Sequence, residues 1–317
     1  MKTAAKPVTS GIQTIPLLPH WVTSVQGQTP DSVAFTSGAA LAMLDMVLHD
    51  SAEILPAELL RNRLALRAAE ACLKLEGRRD SEADIRDAFY LVRAGDAMGP
   101  AGDMFARWRK VGNIGLKRAD WLARLRLCVP VRVAQDLPEW SDAVMAGGSA
   151  TGGPLAQAVK MIGLVLAVFP REEASALICG DVVLARALGW AYPVPLLGMH
   201  LRRWELQATG DELSRACHRA VTKGAQDAVR LAHDLVRCAQ RLRAVAPKLR
   251  AKGSDAAVAL FLREDAVLPS AMLAPRIQGT SIPMTDRAAR RLCDRLVELG
   301  VVRELTGRSM FRLYGVA

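Results

Sequence analysis

Residues 285–314 constrain the fold most narrowly, because residue type, order and spacing agree there. Ala288, Ala289, Leu292, Cys293, Leu296, Val297 and Leu299 recur at helical intervals, while Asp286, Arg287, Arg290, Arg291, Asp294 and Arg295 fill the complementary face. Thr285 is placed to cap this helix and Gly300 to end it. Two runs of β-type composition follow, 301–305 and 310–314, joined by the hairpin loop 306–309. The spacing predicts a helix feeding a β-hairpin.

That pattern reads as a winged helix-turn-helix. Arg287, Arg291 and Arg295 repeat at i, i+4 and, with Arg290, form a guanidinium row away from the apolar stripe. A helix fits the DNA major groove, where arginine pairs with guanine edges or holds phosphate oxygens. Arg308 at the hairpin tip would be the wing contact, flanked by Arg303 and Arg312. The bland alternative is a solvated face, since exposed helices and hairpins also carry arginine for solubility. The loop 275–284 is longer than the usual tight turn between such helices, and 281–283 is read as a small third strand.

A chain of 317 residues suggests two domains, or one large helical domain with a small appendage. Its 51% hydrophobic content with only 5% aromatics, led by alanine and leucine, favours helix, so the expected class is all-α apart from the wing. The net charge of +10 leans toward a polyanionic partner. Half of it lies beyond residue 247, where twelve Lys and Arg face seven Asp and Glu. The six cysteines are widely separated, with no Cys-x-x-Cys pair, and read as reduced, mostly buried thiols. The apolar run Met161 to Phe169 is far short of the roughly twenty residues a membrane span needs. No signal peptide is read at the start, and the expectation is a cytoplasmic protein with no membrane partner.

In chain order, residues 1–30 read as a proline-rich arm anchored by Trp21. A helical body spans 31–246, and 247–317 forms the winged unit. Helices are expected over 33–48 with Ser32 as cap, 57–75, 82–92 behind a Ser81/Asp84 capping box, 103–110 and 116–129. The glycine-rich 147–153 reads as a hinge and not as a phosphate loop, for it lacks a preceding strand and a Gly-Lys-Ser/Thr ending. Beyond it come helices over 154–169, 171–188, 195–206 and 211–245, the last long enough to bend or break at Gly224. Helices over 255–264 and 269–274 open the winged unit.

Several stretches together resemble the uncharacterised bacterial family called domain of unknown function 1403. They are 246–253, Arg290-Arg291-Leu292 through Val302-Arg303-Glu304-Leu305-Thr306-Gly307-Arg308, and Phe311-Arg312-Leu313-Tyr314-Gly315, with 61–71, Gly77-Arg78-Arg79, 83–90, 99–102 and 190–197. The resemblance spans nearly the whole chain and implies a helical fold, but brings no activity or catalytic residues. The terminal piece is also similar to winged domains of bacterial regulators and of adenylyl-transferring Fic proteins. The chain lacks their His-Pro-Phe and Gly-Asn-Gly-Arg loop, so that chemistry is not carried over.

An enzyme is not expected. The five histidines lie in separate segments without metal-ligand spacing, so neither a metal nor a cofactor is assigned. Cys217 and His218, with His233 and Cys238, are the nearest approach to a cluster, but adjacent helical residues point about 100° apart. Asp45, Asp87 and Arg67 are read as an acid/base or ion-pair group within the first half, with structural pairing the simpler account. The functional expectation is a DNA-binding protein or transcriptional regulator using Arg287, Arg290, Arg291, Arg295 and Arg308, its body forming a homodimer or sensing an unknown effector. The alternative is a helical protein-interaction or small-ligand-binding scaffold without DNA binding.

Overall fold

The computed structural model describes residues 14–24, 29–93, 95–146, 153–249, 253–272, 284–308 and 311–317. The expected hinge at 147–153, apart from Gly153, and the third strand at 281–283 lie outside the described residues. What is described is mostly helix, with one small antiparallel strand pair near the C-terminus.

The first half begins with α1 (His20–Thr23) and α2 (Pro30–Asp50). Ile15 and Val22, each 2% exposed, insert beneath this segment. Trp21, the expected anchor, lies outside, stacked on Phe35 at 5.6 Å. α2 starts earlier than the periodicity suggests, because Thr29 accepts from the Ser32 amide at 3.3 Å and Pro30 suits the first turn. α2 is long and apolar enough to cross a membrane by length and composition. In the fold it packs along α12 (Gly210–Val245), burying Ala40, Leu41, Leu44 and Val47.

α3 (Ala57–Leu75) packs on α5 (Gly99–Gly112), and α4 (Glu82–Tyr90) lies against both. The Ser81/Asp84 capping box forms as expected: Ser81 accepts from the Asp84 amide and Asp84 from the Ser81 amide at 2.9 Å. α5 begins four residues before the expected start, since Pro100 is compatible with a first turn. The expected helix over 116–129 shrinks to α6 (Trp121–Arg126). It is followed by α7 (Val131–Met145), a helix beyond those expected from the sequence, with Val133, Leu137, Trp140 and Val144 buried at helical spacing.

α8 (Pro154–Val168) and α9 (Glu173–Ala187) form the centre of the second half, and α9 is buried from Glu173 to Ala185. The 195–206 stretch is not one helix. It breaks into α10 (Leu197–His200) and α11 (Arg203–Leu206), because Leu201 is extended. The fully buried Asp181 of α9 accepts from the amides of Leu196, Leu197 and Gly198 at 2.9–3.0 Å, fixing the chain where α10 begins. α12 runs unbroken through Gly224. That glycine serves close approach rather than bending: a Cβ there would stand 2.8 Å from the Leu196 backbone.

The C-terminal segment comprises α13 (Ser254–Phe261), a 3-10 turn at Pro269–Met272 where a helix was expected, α14 (Asp286–Glu298), β1 (Val302–Glu304) and β2 (Tyr314–Val316). Thr285 caps α14 by accepting from the Ala288 amide. Gly300, at φ 66°, ends it. β1 and β2 pair antiparallel with Val302 opposite Val316. The second strand sits later than expected because the chain turns at Phe311, where φ is 55°, and Leu305 donates to the Leu313 carbonyl at 2.8 Å. On its other side β2 meets Val267: each of Val267 and Tyr314 donates to the other's carbonyl, at 2.8 and 3.0 Å. β2 is thus the middle element of a minimal three-part sheet.

Candidate nucleic-acid interface

α14 buries Ala289, Leu292, Cys293 and Leu296 and exposes Arg287, Arg290, Arg291 and Arg295. The four arginines are not equivalent. Arg290 pairs with Asp286 at 2.9 Å and Arg295 with Glu298 at 2.9 Å, both along the same helix. Among the described residues no carboxylate pairs with Arg287 or Arg291. One turn apart, these two lie opposite the buried stripe, and Asp294 and Glu298 occupy the next turn of that face. The expected row of four is therefore a pair of free guanidinium groups flanked by two on-helix ion pairs.

Arg308 is exposed near the hairpin tip, and its guanidinium lies 2.5 Å from Asp87 of α4. Arg312 sits 3.7 Å from Glu304, across the hairpin. Arg303 projects from β1 on the side away from the apolar core.

Beneath the hairpin, Glu264 and Asp265, between α13 and Val267, enter a buried seat on the body. Asp265 is fully buried and receives Arg86 from α4 through two nitrogens, at 2.6 and 3.3 Å. Arg63 of α3 lies 3.4 Å from the same carboxylate and donates to the Val316 carbonyl at 2.8 Å. Glu264 takes Arg109 of α5 at 2.7 Å, and Arg109 also donates to Asn62, whose own amide donates to the Arg263 carbonyl. The Arg109 guanidinium lies 5.0 Å from the centre of the Phe89 ring.

Burial depresses an arginine while acidic neighbours raise it. For Arg86 burial is the largest effect, but the Asp265 hydrogen bond and charge, with Glu82, outweigh it and leave the group raised. Arg63 comes out lowered: burial dominates, Asp265 offsets it in part, and Arg86 and Arg303 add to the fall. The two arginines share one carboxylate, and Arg86 holds the shorter contacts.

Nothing local in the sequence announces this seat, since its partners lie 155 and 179 residues apart. The one hint is the charged triplet Arg263-Glu264-Asp265 set between the apolar Phe261-Leu262 and Ala266-Val267.

The expected group of Asp45, Asp87 and Arg67 does not assemble. Asp45 accepts from the Trp190 indole at 2.7 Å, Asp87 holds Arg308, and Arg67 stands 4.0 Å from Glu82. His218 and His233 are also turned to separate tasks, one 2.6 Å from the Ser37 hydroxyl and the other 2.7 Å from the Ile15 carbonyl. All six cysteines are free thiols; five are buried and Cys238 is half-buried. Among the described residues, no three His, Cys, Asp or Glu side chains group as metal ligands.

No curated protein matches the sequence. The arginine-bearing helix, the hairpin and the body that seats them fall within one matched span, residues 6–316, and the chain belongs to the family described as protein of unknown function (DUF1403).

Proposed function

We propose that residues 247–317 form a winged helix-turn-helix that binds DNA through α14, carried on the helical body of residues 31–246. The observation that carries this reading is the free, outward pair Arg287 and Arg291 on a helix that feeds directly into a hairpin. The order α13, Val267, turn, α14, β1, β2, with Val267 beside β2, supports it, because a winged domain places a short strand after its first helix and pairs it with the last strand. Arg287 and Arg291 take phosphate oxygens or guanine edges. Arg290 and Arg295 join them by exchanging Asp286 and Glu298 for DNA, a small change because exposed ion pairs are worth only about 0.2–1 kcal/mol. The body, in a cytoplasmic setting, supplies self-association or effector sensing.

A second reading, a protein-interaction or small-ligand scaffold without DNA contact, is favoured by the Arg308–Asp87 pair, which turns the wing arginine toward the chain itself. Fluorescence anisotropy of mixed-sequence duplex DNA at several salt concentrations decides between them. The DNA reading expects binding whose log–log salt slope flattens by about one for each phosphate that Arg287→Ala/Arg291→Ala no longer neutralises. No binding, or an unchanged slope in the double variant, sinks it.

A further inference from the structure

We propose that the cleft between α12 and β1 is a binding site for a phosphate-type oxyanion, held by Arg237 and Arg241 from α12, Arg303 from β1 and Arg63 from α3. The cleft has a volume of about 370 Å³, and its lining includes those four arginines, Asp234 and Cys238. That is enough room for a phosphate group with a small organic substituent, at the lower end of ligand-site volumes.

The residues reach the cleft from three separate parts of the chain. Asp234, Arg237, Cys238 and Arg241 fall at i, i+3, i+4 and i+7, one stripe of the long α12. Arg303 comes from the outward side of β1, and Arg63 from beneath, where its other edge meets Asp265 and the Val316 carbonyl. Asp234 is the one acidic side chain among the lining residues, which also include Val316 and Ala317, the last residue of the sequence. Among the described residues, no carboxylate pairs with Arg237, Arg241 or Arg303. Arg241 spends one nitrogen on the Gly300 carbonyl, which orients its guanidinium and leaves its charge unmatched.

Arg63 already has Asp265, whereas Arg237, Arg241 and Arg303, unpaired among the described residues, repel one another around the concavity unless an anion joins them. The lowered Arg63, with Arg303 among the causes, is consistent with that deficit of negative charge. A phosphate monoester carries about −1.5 to −2 charges near neutral pH and offers three strong acceptor oxygens. It therefore matches several arginine forks at once better than a single carboxylate does. The source of the phosphate is assigned to a small phosphorylated molecule, because the binding groups converge inside a cleft and not along an extended face.

The test is calorimetric titration of the full chain with inorganic phosphate and with glycerol 3-phosphate at constant ionic strength set by chloride. Wild type is expected to bind saturably. Arg237→Ala/Arg241→Ala should bind at least tenfold more weakly, and the Arg→Lys pair, which keeps the charge without the fork, should fall between. Both arginines are exposed, so the variants are expected to fold, and an unchanged circular dichroism melt verifies it. Arg287→Ala/Arg291→Ala should titrate like wild type, which keeps this site separable from the DNA reading. Unsaturable heat in wild type, or the same affinity in the Arg237/Arg241 variants, overturns the site. If those variants lose duplex DNA and phosphate together, the small-molecule assignment falls and the cleft belongs to backbone phosphates.

Discussion

Asp265 and Arg86 meet at 2.6 Å across 179 residues of chain, in a place where the carboxylate has no exposure to solvent. Because Arg63 leans on the same carboxylate, Asp265 is shared by two largely buried cations, of which Arg86 also reaches Glu82 at 3.2 Å. Removing one member of a buried pair leaves an uncompensated charge, so Asp265→Asn is expected to destabilise the fold by about 3–5 kcal/mol. Urea unfolding measures this, and a loss under about 1 kcal/mol would show that water enters the seat and compensates.

Asp87 offers a test specific to the hairpin. If Arg308 contacts DNA, freeing it in Asp87→Ala should raise duplex affinity and steepen the salt dependence by up to about one phosphate. Anisotropy titration beside Arg308→Ala checks this. Weaker binding in the Asp87 variant would mean that the Arg308–Asp87 pair holds the hairpin in its binding position.

Gly224 sets how closely α12 passes the α10 segment. Gly224→Ala pushes a methyl group toward the Leu196 Cα and carbonyl oxygen, both at 2.8 Å, and backbone cannot step aside as a side-chain end can. Overpacking of this kind costs about 1–3 kcal/mol, even though alanine is the better helix former. A thermal melt equal to or above wild type would contradict the close approach.

The buried Asp181 gives stability a pH dependence. Burial pushes its carboxyl up to about 7, against the pull of the Leu197, Gly198 and Leu196 amides. In the unfolded chain an Asp titrates at about 3.9. The native state therefore holds the proton more tightly, and its contribution to stability is full below about pH 4 and is lost as pH rises through about 7. Urea unfolding of wild type and Asp181→Asn between these limits should show this downward contribution in wild type and its absence in the variant. Parallel pH profiles would mean that the three amides hold the carboxylate ionised throughout.

Thiol reactivity should single out one cysteine. Burial pushes Cys72, Cys179, Cys217 and Cys293 up to about 12 and Cys128 to about 11. Cys238 is also raised by burial, but only half-buried, with Arg63 and Arg241 pulling the other way. Iodoacetamide under native conditions should modify Cys238 first, read by peptide mass spectrometry. Earlier labelling of Cys72 or Cys179 would mean that the body opens locally.

Where local chemistry decides, the sequence is legible. The Ser81/Asp84 box, the Thr285 cap and the Gly300 stop sit where their residue types require. α7 escapes a reading by residue type because Pro130 and Pro138 look like breaks, although one proline begins the helix and the other is accommodated inside it. The exposed face of α14 follows from its periodicity, but which arginines are free depends on Asp286 and Glu298 choosing partners within the helix. The Arg308–Asp87 pair, the acid seat and the α12 cleft join residues with no spacing relation, and they become visible only once the helices are stacked.

The acid seat also fixes an order of events during synthesis. Arg86 and Arg109 leave the ribosome 179 and 155 residues ahead of the carboxylates they hold. At ordinary translation speeds that gap lasts roughly 10–35 s. Through that interval the groove formed by α3, α4 and α5 carries cations without their final partners and stays wet. Its last closure waits for residues 264–265, so the N-terminal helices acquire their finished packing only when the far end of the chain arrives.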